Sequence, residues 1–194
     1  MGRRREFDET QALDAALAVF WDKGYEGTSL EDLTRATGVA RPGLYAAFGN
    51  KESFFLKAVD RYETLYMGFM REALEEQDAQ VVVRRILEGS VFLQTHNPAH
   101  LGCLGINGAV ACSSNGEAIR QELIRRRSAS EMVLKTRLEE AQTKGQLPAA
   151  TDCAMLASYV MLVSQGMAVK AKSGTPRSEL EAIIEHVMES WPAG

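Results

Sequence analysis

Residues 28–55 read TSLEDLTRATGVARPGLYAAFGNKESFF, and the placement of turn formers and apolar side chains in this stretch decides the fold. Thr28 or Ser29 is suited to cap a short helix whose Leu30 and Leu33 share one face. Thr37-Gly38 stops that helix within two turns. A second short helix starts near Ala40 and carries Leu44 and Phe48, after which Gly49-Asn50 breaks and recaps the chain. With Leu30, Leu33, Val39 and Leu44 pointing inward, the two helices are held at a fixed angle across a Thr-Gly-Val turn, which is a helix-turn-helix. The outer face of residues 40–46 is left free, as is needed for a helix that enters a major groove. Pro42 is compatible with this because a first-turn residue has no intrahelical partner for the N–H that proline lacks.

Outward from this unit every periodic segment is helical. On the N-terminal side, Leu13, Ala16, Leu17, Phe20 and Trp21 mark an amphipathic helix from about residue 8 to 23, with Asp8 as cap and Gly24 as stop. On the C-terminal side, an apolar stripe from Phe54 to Met70 predicts one long helix over 50–74. Further helices are expected over 78–95, 102–111, 115–144, 151–172 and 176–191. The expectation is an all-α chain of about nine helices. Residues 1–50 are expected to form a tri-helical DNA-binding domain, and residues 51–194 a larger helical domain.

Charge alone does not point to nucleic acid. The 194 residues carry a net charge of −4, and residues 1–51 hold seven basic side chains against eight acidic ones. A DNA-binding role therefore rests on motif geometry and on segregation of these charges to different faces. The three cysteines, Cys103, Cys112 and Cys153, are odd in number and irregularly spaced, which speaks against a disulfide framework or a zinc knuckle. No apolar run approaches a membrane span, so a cytoplasmic protein with reduced thiols and no membrane contact is expected. An enzyme would need a nucleophile, base or metal cluster at a consistent spacing. None stands out, and no cofactor is expected. A helical adaptor would account for the amphipathic stripes but not for the short helix of residues 40–46.

The 28–55 stretch resembles the DNA-binding segment of the TetR family of bacterial repressors. The resemblance covers residues from about 8 to 60, and the helical remainder agrees with the family in length. It implies that Thr28 and Ser29 contact phosphate at the start of the motif, that Tyr45 is an aromatic phosphate contact and that Lys51 is a basic clamp. Such contacts position a protein without reading sequence. Arg41 is the candidate base reader, since its fork matches O6 and N7 of guanine. Pro42 and Gly43 would add close apolar and backbone approach. Arg3, Arg4 and Arg5 are candidates for a minor-groove arm.

The resemblance further implies a homodimer on a palindromic double-stranded operator, and a small-molecule effector held by the larger domain. Met155, Tyr159, Val163, Leu180, Ile184, Val187 and Trp191 are the expected dimer surface. Phe69, Phe92, Cys103, Asn107, Met132 and Tyr159 are the expected pocket lining. The segment from His96 to Asn107 carries Gly-Cys-Leu-x-x-Asn, similar to a segment in TetR-type sensors of electrophiles, and a helix N-terminus favours a thiolate at Cys103. His96, His100 and Cys103 have the side-chain types of a soft metal site, but a loop gives them no fixed geometry, and no metal is expected.

Overall fold

Asp8 opens the first helix by accepting the backbone N–H groups of Thr10 and Gln11 at 2.8 and 3.1 Å. The computed structural model describes residues 7–110 and 116–192, with backbone alone for 108–110. In order, the helices are α1 (Glu9–Gly27), α2 (Leu30–Thr37), α3 (Arg41–Phe48), α4 (Lys51–Tyr66), α5 (Gly68–Leu74), α6 (Ala79–Thr95), α7 (Leu104–Val110), α8 (Glu117–Thr143), α9 (Cys153–Lys172) and α10 (Arg177–Glu189). No strand occurs among the described residues.

The tenth helix arises because the expected single helix over 50–74 breaks at Met67, whose φ/ψ of −96/9 leaves the helical region. The two halves have different partners. Phe54, Phe55, Ala58, Val59 and Tyr62 of α4 are buried with α1. On α5, Phe69 lies so close to Gly89 of α6 that even a methyl group there would overlap its ring. Gly68, a poor helix former, sits at the bend.

Two apolar clusters form. One joins Phe20, Trp21, Leu33, Leu44, Phe48, Phe54 and Phe55 to Leu93, Leu104, Ile119 and Leu123. The other holds α6, α8, α9 and α10 together. The first cluster runs through residue 50 without a boundary, so the helix-turn-helix is built on α4 and on the start of α8. Arg61 of α4 reinforces this with two hydrogen bonds to the Asp14 carboxylate, at 2.8 and 3.1 Å.

The helix-turn-helix follows from local chemistry. Ser29 accepts the Asp32 N–H through its hydroxyl while Asp32 accepts the Ser29 N–H, a reciprocal capping box. Gly38 adopts φ 67, a left-handed conformation in which a side chain at this turn would be strained. Ser29→Ala is expected to lower the free energy of unfolding by about 1 kcal/mol. The check is a lower urea midpoint at unchanged slope.

Candidate functional site

The face of α3 that turns away from α1 and α4 presents Arg41, Pro42, Tyr45 and Ala46, while Leu44 and Phe48 are buried beneath it. Tyr45 is 45% exposed. Arg41 is exposed and has no hydrogen-bond or ion-pair partner among the described residues. Ala40 at the N-cap offers no side-chain cap, and no acidic residue lies in the first turn. The positive end of the helix dipole therefore meets solvent uncompensated, an arrangement that favours an anion. From behind, Lys57 donates to Ala47 O at 3.1 Å and Phe48 stacks on Phe54 with centroids 4.1 Å apart, fixing the far end of α3.

Three of the eight acidic residues of the N-terminal unit are engaged by cations away from α3. Asp32 pairs with Lys23 at 2.7 Å, Asp14 with Arg61, and Asp22 with Lys172 at 3.2 Å. The Lys23 hydrogen bond, joined by those from Ser29, holds the Asp32 carboxyl far below the usual carboxylate range. Charge segregation thus replaces net charge as the electrostatic argument.

Three residues expected at this surface also have intramolecular roles. Thr28 is 1% exposed and donates its hydroxyl to Gly24 O at 2.7 Å, so that hydroxyl is not free for a phosphate. Ser29 is exposed, but its hydroxyl and N–H are engaged in the capping box. Gly43 turns toward Val39, where an added Cβ would stand 2.9 Å from Cγ1, so the glycine serves the packing of α3 on the turn. Lys51 opens α4 with its ammonium 4.5 Å from the centre of the Tyr25 ring. Burial pushes its pKa below the ordinary lysine value, opposed by Glu26. Arg3, Arg4 and Arg5 lie outside the described residues, as does Cys112.

A cavity of about 100 Å³ lies between α4, α6, α7, α8 and α9. Its apolar wall includes Val59, Met67, Met70, Ile106, Leu123 and Met161, and its polar wall includes Tyr62, Gln94, Cys103, Arg126 and Arg127. Of the six expected lining residues only Cys103 borders it. Phe69 packs on Gly89. Phe92 is 54% exposed, stacked on His96 and covered by the Arg177 guanidinium. Met132 and Tyr159 are exposed. Asn107 faces α1, donating to Trp21 O at 3.4 Å and Leu101 O at 3.5 Å.

Cys103 sits just ahead of α7, where its carbonyl accepts the Ile106 and Asn107 N–H groups. Tyr62 donates its hydroxyl to the Cys103 sulfur at 3.4 Å. Burial, with the neighbouring Cys103, pushes the Tyr62 phenol well above its ordinary pKa, so it stays a donor. The same segment grips the N-terminal helical unit. Trp21 Nε1 donates to Gly102 O at 3.2 Å and its ring stacks on His100, while from α9 Lys172 donates to Asp22 O at 3.0 Å. No three His, Cys, Asp or Glu side chains among the described residues are grouped to hold a metal ion.

The expected dimer surface divides in two. Leu180, Ile184 and Val187 are buried within the subunit. Val163 and Trp191 are partly buried against the same cluster. Met155 and Tyr159 do face outward, joined by Leu162 and Val169, so α9 carries an exposed apolar stripe. With that stripe α9 is long and apolar enough, by length and composition, to cross a membrane; its opposite face packs in the helical core.

Gln94, Arg126 and Arg127 were not expected at a site. The signal was present: Arg126 and Arg127 follow buried Leu123 by three and four positions and precede buried Leu134. That places two arginines of the Arg125-Arg126-Arg127 run on the inward stripe.

Residues 12–58 match the family model described as bacterial regulatory proteins, tetR family, and residues 82–187 match the tetracyclin repressor-like C-terminal domain. The chain is 33% identical to the HTH-type transcriptional repressor ComR of Escherichia coli, over 98% of this chain and 92% of that protein. It is 32% identical to the HTH-type regulator YezE of Bacillus subtilis, over 82% and 84% of the two chains. Among solved structures it resembles a cysteine mutant of the regulator CifR complexed with 26-bp double-strand operator DNA. That likeness has a TM-score of 0.92 and 36% identity, over 98% of this chain and 100% of that one.

Proposed function

For this chain, which belongs to the TetR family of DNA-binding transcriptional repressors, we propose a homodimer that binds a palindromic operator and is released by a small molecule in the α4–α9 cavity. The single observation that carries the reading is continuity. The cavity wall at Cys103, Gly105 and Ile106 belongs to the same stretch of chain that holds Trp21 through Gly102 and Asn107. A molecule that shifts this wall changes how the DNA-reading unit is seated, and release follows if the bound dimer prefers the other seating. The exposed stripe of Met155, Tyr159, Leu162 and Val169 supplies the pairing surface, since a single recognition helix covers only a few base pairs.

On the DNA, Arg41 reads bases, and Tyr45, Lys51 and the uncapped start of α3 contact phosphates. Lys51→Ala is expected to weaken binding to every sequence alike and to reduce the slope of log K against log salt by about one. The experiment for the reading as a whole is a gel-shift titration on the DNA upstream of the coding sequence. A shifted complex with a two-fold symmetric footprint is expected. Folded protein that shifts none of this DNA overturns it.

A second reading is favoured by the Tyr62–Cys103 hydrogen bond and by the place of Cys103 on the cavity wall: the trigger is covalent, at the Cys103 sulfur. Cys153 is buried, and burial pushes its thiol up, away from the reactive thiolate. N-ethylmaleimide, in which the sulfur adds across the ring double bond and the thiol proton ends on the adjacent carbon, is expected to release operator from the wild type but not from Cys103→Ser. Equal sensitivity removes this reading and leaves noncovalent release in place.

A further inference from the structure

We infer that the cavity is built for a small carboxylic acid that also carries a hydroxyl or other hydrogen-bond donor, with Arg127 taking the carboxylate and Gln94 accepting from the donor. The inference rests on the effector reading above and specifies the chemistry of its ligand.

Of three consecutive arginines on α8, Arg125 pairs with Glu122 at 2.7 Å, and Arg126 pairs with Asp60, Glu63 and Glu122 at 2.7, 2.7 and 2.8 Å. Arg127 has no carboxylate partner among the described residues; it donates to Gly105 O at 3.0 Å and borders the cavity. Partial burial works against its charge and pushes its pKa below the ordinary arginine value. A guanidinium has five N–H donors in a planar fork that matches a carboxylate, and one backbone carbonyl leaves most of them unused. An anion entering beside it relieves the cost of holding an unpaired cation in a partly dry site.

Gln94 supplies the second, independent observation. It is 4% exposed and borders the same cavity. Its Nε2 donates to Ser164 O at 3.2 Å, and since a backbone carbonyl only accepts, the amide orientation is fixed. Its Oε1 is buried and has no hydrogen-bond partner among the described residues. The nearby hydroxyls cannot relieve it as they stand: Ser90 donates to Ile86 O, and Ser164 donates to Ser90. An orphaned buried acceptor destabilises the empty site until a donor arrives.

Size and shape complete the class. A cavity of about 100 Å³ takes a short carbon body. Three of its apolar walls are Met67, Met70 and Met161, side chains that reshape readily. A neighbouring groove lined by Glu63, Met67, Met70, Arg126 and Ser130 shares these walls, so a chain of several carbons has room to extend toward α4 and α8. A purely cationic ligand would meet Arg127, and a purely apolar one would leave both Arg127 and Gln94 unsatisfied.

The test uses three probes of equal carbon length on the full-length protein, by isothermal titration: 6-hydroxyhexanoate, hexanoate and hexane-1,6-diol. The hydroxy acid is expected to bind at least about tenfold more tightly than either of the others. Arg127→Met is expected to abolish its advantage over the diol, Arg127→Lys to keep part of it, and Gln94→Leu to abolish its advantage over hexanoate. Thermal unfolding of each variant shows that it is folded. If the diol binds as tightly as the hydroxy acid, or Arg127→Met leaves the preference intact, the carboxylate assignment is wrong. Loss of diol binding in Ser164→Phe, which fills the cavity, would then show that the effector site itself survives. If none of the probes binds the wild type, the ligand class is overturned, while operator binding by gel shift remains a separate result.

Discussion

Arg41→Ala is expected to lower affinity for the cognate operator by about 1–3 kcal/mol per subunit contact, about fivefold to more than a hundredfold, and to flatten discrimination at one base pair in each half-site. The size follows from geometry. Arg41 is the first residue of α3, exposed and without an intramolecular ion pair, so no existing contact has to be broken before it meets a base edge. The far end of the helix is held by Lys57 and by the Phe48–Phe54 stack, so the side chain is presented from a fixed base. Gel-shift titration against the operator and its single-base variants separates this from a phosphate contact. A variant that keeps wild-type ratios among those sequences shows that Arg41 does not read bases. Lys51→Ala, by contrast, is expected to leave the ratios intact while lowering every affinity.

Ile184→Ala is expected to cost about 2–5 kcal/mol of stability, the usual range for truncating a fully buried branched side chain. Ile184 is 1% exposed and lies with Leu180 and Val187 against the cluster of α6, α8 and α9. Denaturant unfolding at fixed protein concentration is the measurement, because a dimer's apparent stability moves with concentration. Leu162→Glu, on the outward stripe of α9, is expected to do the opposite. It should leave subunit packing unchanged and shift sedimentation from dimer to monomer, since a charge would be buried unpaired in the proposed pairing face. Dissociation by Ile184→Ala with no loss of subunit stability would contradict the packing described here.

The two variants also mark where sequence reading stops. Leu180, Ile183, Ile184, Val187, Met188 and Trp191 form one helical stripe, and periodicity says that such a stripe is covered without saying by what. Leu180, Ile184 and Val187, expected between subunits, cover α6 and α9 of their own chain. The exposed stripe is on α9, where every face is apolar and no pattern distinguishes inside from outside. The same limit explains the pocket. Phe92, Met132 and Tyr159 are large apolar residues at plausible positions, yet each projects to solvent in the described chain. The cavity is lined instead by methionines and by Gln94 and Arg127, polar residues that a sequence reading assigns to the surface.

What the sequence determined by itself is the helix-turn-helix. Its signals are local: Ser29 three residues before Asp32, a left-handed glycine at 38, Pro42 in a first turn, and apolar residues spaced for one face. Interactions within a few residues depend little on the rest of the chain, so they are legible in one dimension. Only the tertiary structure decided that Thr28 and Gly43 serve packing, that Asp14 and Asp22 are engaged by distant cations, and that Trp21 is tied to Gly102, 81 residues away, beside the cavity wall. Those outcomes depend on which helix packs against which. Packing is set by the sum of many weak contacts across the whole chain, which no local pattern encodes.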